Sequence, residues 1–305
     1  MTQFQAAARA ATQAMRDVFP ATPLQRNVHL SDRFEADVFL KREDLSPVRS
    51  YKLRGAFNAM RKLAGQAQFV CASAGNHAQG VAYMCRHFDV QGVIFMPVTT
   101  PQQKIQKTRM FGGDNVKIRL VGDYFDDTLA SAQAFCAEQG AHFLSPFDDE
   151  DVIEGQASVA VEIEEELGKA PDHIILPVGG GGLSAGTYSY FGDSISYTFV
   201  EPSGAPSLKR ALEAGQPVDV SPINSFVDGA AVAKIGQRTF ARLNSIAASR
   251  AITISEDRIC ATIIEMLNVE GIVLEPAGAL SVEALVDVAD QIRGKTVVCV
   301  TSCGN

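Results

Sequence analysis

The chain contains no C-x-x-C pair, no apolar run long enough to cross a bilayer, no basic stripe interleaved with aromatics, no internal repeat and no low-complexity tract. The six cysteines, Cys71, Cys85, Cys136, Cys260, Cys299 and Cys303, fall mostly inside apolar runs. They read as reduced core thiols in a reducing compartment, the cytoplasm, rather than as a disulfide framework. A net charge of -8 and a pI near 5.2 argue against nucleic acid or an anionic membrane as the main partner. Residues 1–19 are poor in acids, as a transit peptide is, but they lack an apolar core segment and include Asp17. An amphipathic docking helix is the better reading of them.

What is present is ordinary globular material: 305 residues, 46% apolar and 20% charged, enough for one or two domains. From residue 69 onward, strand-like and helical runs alternate in the pattern of a parallel α/β sheet. Strands are expected over 69–72, 92–97, 116–121 and 141–147, with helices over 76–88, 101–111 and 125–138. A second series follows, with helices over 152–167, from 183, over 256–267 and over 278–292, and strands over 173–178, 197–201 and 296–301. The acidic, polar segment 148–156 is the expected crossing between the two series.

Three stretches carry chemistry. Lys52 lies where the strand Val38-Phe-Leu-Lys41 gives way to a helix whose apolar residues, Leu53, Phe57, Met60 and Ala64, recur until Gly65. A lysine in a desolvated setting can attack a carbonyl and form a Schiff base; the alternative is an ordinary surface lysine. The run Gly179, Gly180, Gly181, Gly182, Leu183 follows a strand and opens a helix, so its backbone N–H groups can converge on a phosphate. Gly180, Gly182 and Ala185 also satisfy the G-x-G-x-x-A dinucleotide pattern, with Glu201 placed as a ribose-binding acid, so an NAD(P)-dependent oxidoreductase is a second reading. That reading leaves Lys52 and Asn76 unexplained. A phosphate site plus a reactive lysine points to pyridoxal 5'-phosphate. The loop Ser73, Ala74, Gly75, Asn76, His77 offers hydroxyl, amide and backbone N–H groups at a helix start, which suits a carboxylate. Ser73 or Asn76 can equally serve as a helix cap, and His77 reads as a structural hydrogen-bonding group. Ser302 follows a buried strand and sits at the carboxyl edge of a sheet.

These motifs, KREDL then S-Y-K, SAGNHAQG, PVGGGGL, Asp228-Gly-Ala-Ala-Val232, EPAGAL and S-x-G-N, occur in one order along nearly the whole chain. In that order the chain resembles the threonine dehydratases (threonine ammonia-lyases) of the fold-type II pyridoxal-phosphate enzymes, the serine/threonine dehydratase group. The resemblance implies a two-domain, tryptophan synthase β-like α/β fold with open, mostly parallel sheets. Residues 1–53 plus 151–305 would form the large cofactor domain and 54–150 a small inserted α/β domain. Lys52 would carry the cofactor and move the α-proton. Asn76 would bind the pyridoxal 3-oxygen, Gly179 to Gly182 and Leu183 the phosphate, and Ser302 the pyridine nitrogen. Ser73, Ala74, Gly75, Asn76 and His77 would bind the substrate carboxylate. The implied reaction converts L-threonine to 2-oxobutanoate and ammonia by β-elimination, as in isoleucine biosynthesis, with side activity on L-serine. Within the same fold, the alternatives are a serine dehydratase or racemase and a 3-hydroxyaspartate dehydratase. In the racemases a serine precedes the G-N-H of the carboxylate loop, where this chain has Ala74, which argues for dehydration. The racemases' cation segment is matched by Glu201, Pro202 and Ala205, but Ser207 replaces its aspartate, so the metal stays unassigned. Cys303 stands where glycine is usual. Relatives continue past the position of Asn305, and they are commonly dimers or tetramers, so a homo-oligomer acting on a small amino acid is expected.

Overall fold

Strand β10 (Thr296–Thr301) is apolar on both faces, with Val297, Val298, Cys299 and Val300 fully buried, the pattern of a central parallel strand covered on both sides. The computed structural model describes residues 1–305, the side chain of Phe125 apart. In chain order the strands are β1 (Leu24–Arg26), β2 (Asp37–Arg42), β3 (Gln68–Ala72), β4 (Gln91–Met96), β5 (Val116–Leu120), β6 (His142–Phe143), β7 (His173–Pro177), β8 (Ser196–Pro202), β9 (Ala251–Ile254) and β10. The helices are α1 (Gln3–Met15), α2 (Val28–Phe34), α3 (Lys52–Lys62), α4 (Asn76–His87), α5 (Gln102–Gly112), α6 (Phe125–Gln139), α7 (Glu150–Gln156), α8 (Ser158–Leu167), α9 (Gly182–Phe191), α10 (Ser207–Ala214), α11 (Gln237–Leu243), α12 (Glu256–Glu270), α13 (Pro276–Glu283) and α14 (Leu285–Ile292).

Two sheets result, a six-stranded one in the order β1-β2-β10-β7-β8-β9 and a four-stranded one in the order β5-β4-β3-β6. Every pairing is parallel except β1 with β2. The strands of the smaller sheet all lie between residues 68 and 143, whereas the larger sheet takes strands from both sides of that stretch. Register is decisive for the site: β2 pairs with β10 from Asp37↔Thr296 to Arg42↔Thr301. Residues 43–55 and 302–305 therefore leave the sheet side by side, and the β7 exit lies one strand away. Ligands bind at such carboxyl edges in open α/β sheets.

The amino-terminal segment is the helix expected of it. Thr2 and Gln5 form a capping box, and Ala8, Ala11, Thr12 and Met15 form its buried stripe. The stretch 152–167 departs from expectation, because it breaks at Ala157 into α7 and α8. The cause is backbone crowding. A Cβ on Gly155 would stand 2.6 Å from Arg54 O, and one on Gly186 would stand 2.6 Å from Ile153 O. Helix α7 thus threads between α3 and α9 at backbone contact, and the expected crossing segment 148–156 is mostly this helix. The stretch 278–292 likewise divides at Ala284, with Pro276 starting α13. The strand expected over 141–147 holds only two residues of ladder, and the chain then turns away to set Pro146 against Lys52, Phe147 against Gly180 and Asp148 against the start of α11. Short elements with little periodicity, β1, α2, α10, α11 and β9, were not expected from the sequence.

Beneath Lys52 lies a buried ionic cluster. Arg54 pairs in bidentate fashion with Glu43 and Glu162 at 2.6–2.8 Å, and its guanidinium also donates to Thr22 Oγ1 and Ser158 Oγ at 3.0 Å. Lys41 Nζ adds a 2.8 Å contact to Glu162. Burial alone would raise the Glu162 pKa, but the charges of Arg54 and Lys41 override it and hold the group at about 2. The cluster ties β2, the turn after it, α3 and α8 together, so the first turn of α3 is held at a fixed point.

Candidate active site

Lys52 is the first residue of α3, reached from β2 through a 3-10 turn (Glu43–Leu45) and a loop rather than directly. That loop is stitched to the end of β10: Ser50 bridges Cys303, and the Tyr51 N–H donates to Ser302 O at 3.2 Å. The helix comes into backbone contact with α4, where a Cβ on Gly80 would lie 3.2 Å from the Lys52 carbonyl. The Lys52 amine is half-buried and donates to Pro146 O at 2.7 Å. The rings of Tyr51 and Phe147 lie 5.3 and 5.8 Å from it. Desolvation lowers its pKa to about 8, against a smaller opposing effect of the neighbouring Cys303. A surface lysine would keep its proton far above neutrality; this one is close to losing it.

Phe147 links the lysine to the glycine run. Its ring covers Gly180, where a Cβ would stand 2.2 Å from ring carbons, and its backbone borders Gly182. Gly181 has φ +91 and caps α9 without a side-chain bond. Thr239 Oγ1 donates to Gly180 O at 2.8 Å, and Asp148 accepts from the first N–H groups of α11, so the loop is braced from behind. Beyond it, Ser184 Oγ is buried without a hydrogen-bond partner among the described residues.

The loop from Ser73 to His77 leads from β3 into α4. Gly75, rather than Ser73 or Asn76, is the N-cap of α4, and it makes no side-chain capping bond. A Cβ on Gly75 would meet nothing within 4 Å, so the loop borders open space. Ser73 Oγ accepts from Gly75 N–H at 3.2 Å, and Ala74 packs against the core cluster that includes Phe57, Met84 and Leu144. The His77 side chain points away, Nε2 lying 3.0 Å from Leu144 O, and burial together with the Lys52 charge lowers its pKa to about 3. It is therefore a neutral structural group, and only its backbone belongs to the loop. Asn76 Nδ2 donates to Glu275 Oε1 at 2.8 Å. Ser302 is buried at the carboxyl end of β10, its Oγ 3.2 Å from Ala277 O and 3.1 Å from Cys303 Sγ.

Glu201 is committed elsewhere. Its carboxylate accepts from Leu208 N at 2.7 Å and Lys209 N at 2.9 Å, capping α10, and burial raises its pKa to about 7. The acid required by a dinucleotide site is thus turned into a helix end. No group of three or more His, Cys, Asp or Glu side chains suited to a metal occurs among the described residues. The sequence assigns no role to Tyr51, Phe147, Asp148 or Glu275; of these, Tyr51 lies inside the S-Y-K motif and Glu275 inside EPAGAL, so those two were legible.

Comparisons with known proteins agree with this geometry. The model of the family described as pyridoxal-phosphate dependent enzyme matches residues 16–304. The chain is 47% identical over 301 residues to the biosynthetic L-threonine dehydratase IlvA of Bacillus subtilis (strain 168), covering 97% of this chain and 71% of that protein. Its structure superposes on the processed form of threonine deaminase isoform 2 from Solanum lycopersicum with a TM-score of 0.93 and 35% identity, over 99% of this chain and 84% of the other. For the threonine deaminase of T.th. the TM-score is 0.90 and the identity 29%, over 98% of this chain and 97% of the other.

The residues present fit the family's cofactor. A phosphate needs a side-chain-free cradle at a helix N-terminus, and Gly179 to Gly182 provide one at the start of α9. An aldehyde needs a lysine amine able to shed its proton, which Lys52 has. A pyridine ring needs flanking apolar surface and a polar group at its nitrogen, which the Tyr51 and Phe147 rings near Lys52 and the Ser302 hydroxyl at the end of β10 would supply. With the family model spanning nearly the whole sequence and its cofactor's requirements met at one sheet edge, the chain belongs to the pyridoxal-phosphate dependent enzyme family.

Proposed function

We propose that this protein is a threonine ammonia-lyase, converting L-threonine to 2-oxobutanoate and ammonia and acting also on L-serine. The observation that carries the reading is the half-buried Lys52 amine, which donates to Pro146 O at 2.7 Å and lies 5.8 Å from the Phe147 ring that covers Gly180, with its pKa lowered to about 8. Pyridoxal phosphate, when bound, supplies the electron sink for the pair left at the α-carbon. Lys52 Nζ takes the α-proton, and its modest basicity suits transfer near neutral pH. Backbone N–H groups of Gly179, Gly180, Gly181, Gly182 and Leu183 hold the phosphate, Asn76 the ring oxygen, and Ser302 the ring nitrogen. The Ser302 hydroxyl carries no charge, so it does not stabilise a protonated ring as a carboxylate would. Ser73, Ala74, Gly75, Asn76 and the His77 backbone receive the substrate carboxylate. At Ala74 a methyl group cannot exchange a proton, which supports elimination over racemisation.

Residues 1–53 with 151–305 form the larger, cofactor-bearing domain in this reading, and 54–150 the smaller inserted one; the strand membership of the two sheets supports that division. Exposed Ile264, Leu267 and Val273 support a homo-oligomer, a dimer or tetramer. A cytoplasmic setting is supported by the free cysteines; no helix is long and apolar enough to cross a membrane among the described residues. The test is oxo-acid release by the cofactor-loaded enzyme from L-threonine, L-serine and 3-hydroxyaspartate separately. Faster 2-oxobutanoate than pyruvate is expected. A methyl group in an apolar pocket discriminates by only about 1–3 kcal/mol, so serine should remain a substrate. No oxo acid from threonine would overturn the assignment.

A further inference from the structure

Glu275 is the N-cap residue of α13, yet its carboxyl makes no capping bond to that helix. It turns toward the active site instead. Oε1 accepts from Asn76 Nδ2 at 2.8 Å, and Oε2 accepts from the Asn305 backbone N–H at 3.2 Å. Gly229 crosses beside it so closely that a Cβ there would stand 2.7 Å from Oε1. The titratable groups facing this carboxyl are Cys303 after β10, Asp228 in the 225–232 segment and Tyr51 at the start of α3.

Asn76 is held at its other end as well. Its Oδ1 accepts from Asn305 Nδ2 at 2.5 Å, and the same Nδ2 donates to Val48 O at 3.0 Å. The two ends of an amide differ only in what they donate and accept, so neighbours decide its orientation. An ionised carboxyl accepts only, and therefore selects the nitrogen end of Asn76. Asn305, with its nitrogen set by the Val48 carbonyl, selects the oxygen end. Both conditions favour one orientation, and Nδ2 keeps a second proton beyond the one given to Glu275.

We propose that Glu275 is a positioning residue of the active site: it fixes the Asn76 amide so that one N–H is bound to the carboxyl and the other is presented to an anionic oxygen of the bound cofactor. This rests on the pyridoxal-phosphate reading of the site. Glutamate suits the position better than glutamine, because both oxygens accept from N–H donors and an amide at 275 would turn its own NH2 on either Asn76 Nδ2 or the Asn305 N–H. Burial raises the Glu275 pKa against the lowering effect of its hydrogen bonds, and in its ionised form the carboxyl places a negative charge behind the amide, strengthening the remaining N–H as a donor.

The test uses the loaded enzyme and the Glu275→Gln and Glu275→Ala variants. It reads cofactor Kd by absorbance titration, the pH titration of the bound-cofactor absorption band, kcat and KM for L-threonine, and the thermal midpoint. Glu275→Gln is expected to keep the thermal midpoint while weakening cofactor binding roughly tenfold, in line with loss of one charge-assisted bond. Its absorption titration should shift and its kcat should fall with KM little changed. Because Glu275→Gln is isosteric, a folding failure of Glu275→Ala does not remove the test. A Glu275→Gln variant matching the wild type in Kd and in absorption titration overturns this inference alone. A wild-type protein that takes up no pyridoxal phosphate overturns the functional reading and this inference together.

Discussion

The lowered basicity of Lys52 has a measurable consequence in the cofactor-free protein. The amine is carried on the first turn of α3, half-buried between Tyr51 and Phe147, and its pKa falls from 10.5 to about 8. At pH 7 the neutral fraction is then larger than that of an ordinary lysine by roughly 300-fold, since each unit of pKa is a factor of ten. Competitive acylation of the apoprotein with a trace electrophile, read by peptide mass spectrometry across pH 6–11, measures this directly. The labelling of Lys52 should follow a titration centred near 8, well below the 10.5 of an ordinary lysine. The same shift has a linked effect on stability. Between pH 8 and 10.5 the unfolded chain keeps the Lys52 proton while the folded chain has released it, so apoprotein stability rises with pH across that window. The upper bound is about 3 kcal/mol, and the rise should vanish in Lys52→Met. A Lys52 titration centred near the ordinary lysine value of 10.5 would refute the claim that desolvation primes this amine.

Three other perturbations follow from the same contacts. In Gly180→Ala the new methyl would overlap the Phe147 ring, so the variant should fold yet lose cofactor affinity by at least about tenfold, measured by equilibrium titration. Arg54→Met leaves Glu43 buried without a cationic partner and Glu162 with Lys41 alone, and urea unfolding should show a loss of about 3–5 kcal/mol. Glu201, with its folded pKa raised to about 7, contributes stability below pH 4.5 that is lost as pH rises through 7. The unfolding midpoint should therefore decline over that range in the wild type and more weakly in Glu201→Gln.

Much of this architecture is legible in the sequence because the relevant signals are local. The alternation that forms β3, α4 and β4, the buried run of β10, and the strand-to-glycine-to-helix passage at 173–191 each carry their pattern within a short window. The break at Ala157 is not local, since α7 meets distant helices at backbone contact, as at Gly155 against Arg54. The site shows the same division. Lys52, the glycine run and Ser302 stand at motif positions, whereas Phe147 acquires its place only when the chain leaves β6 early, and Glu275 only when α13 packs beneath β10. His77 shows the limit of a motif: its position is in the carboxylate loop, but its ring is bonded to Leu144 O behind it.

The central claim is that Lys52 is the residue joined to the cofactor. Borohydride reduction of the loaded enzyme followed by peptide mapping tests it most directly. The account predicts a single pyridoxyl group on the peptide containing Lys52, absent from Lys52→Ala. A pyridoxyl group at another lysine, or an unmodified Lys52 in catalytically active protein, would contradict it.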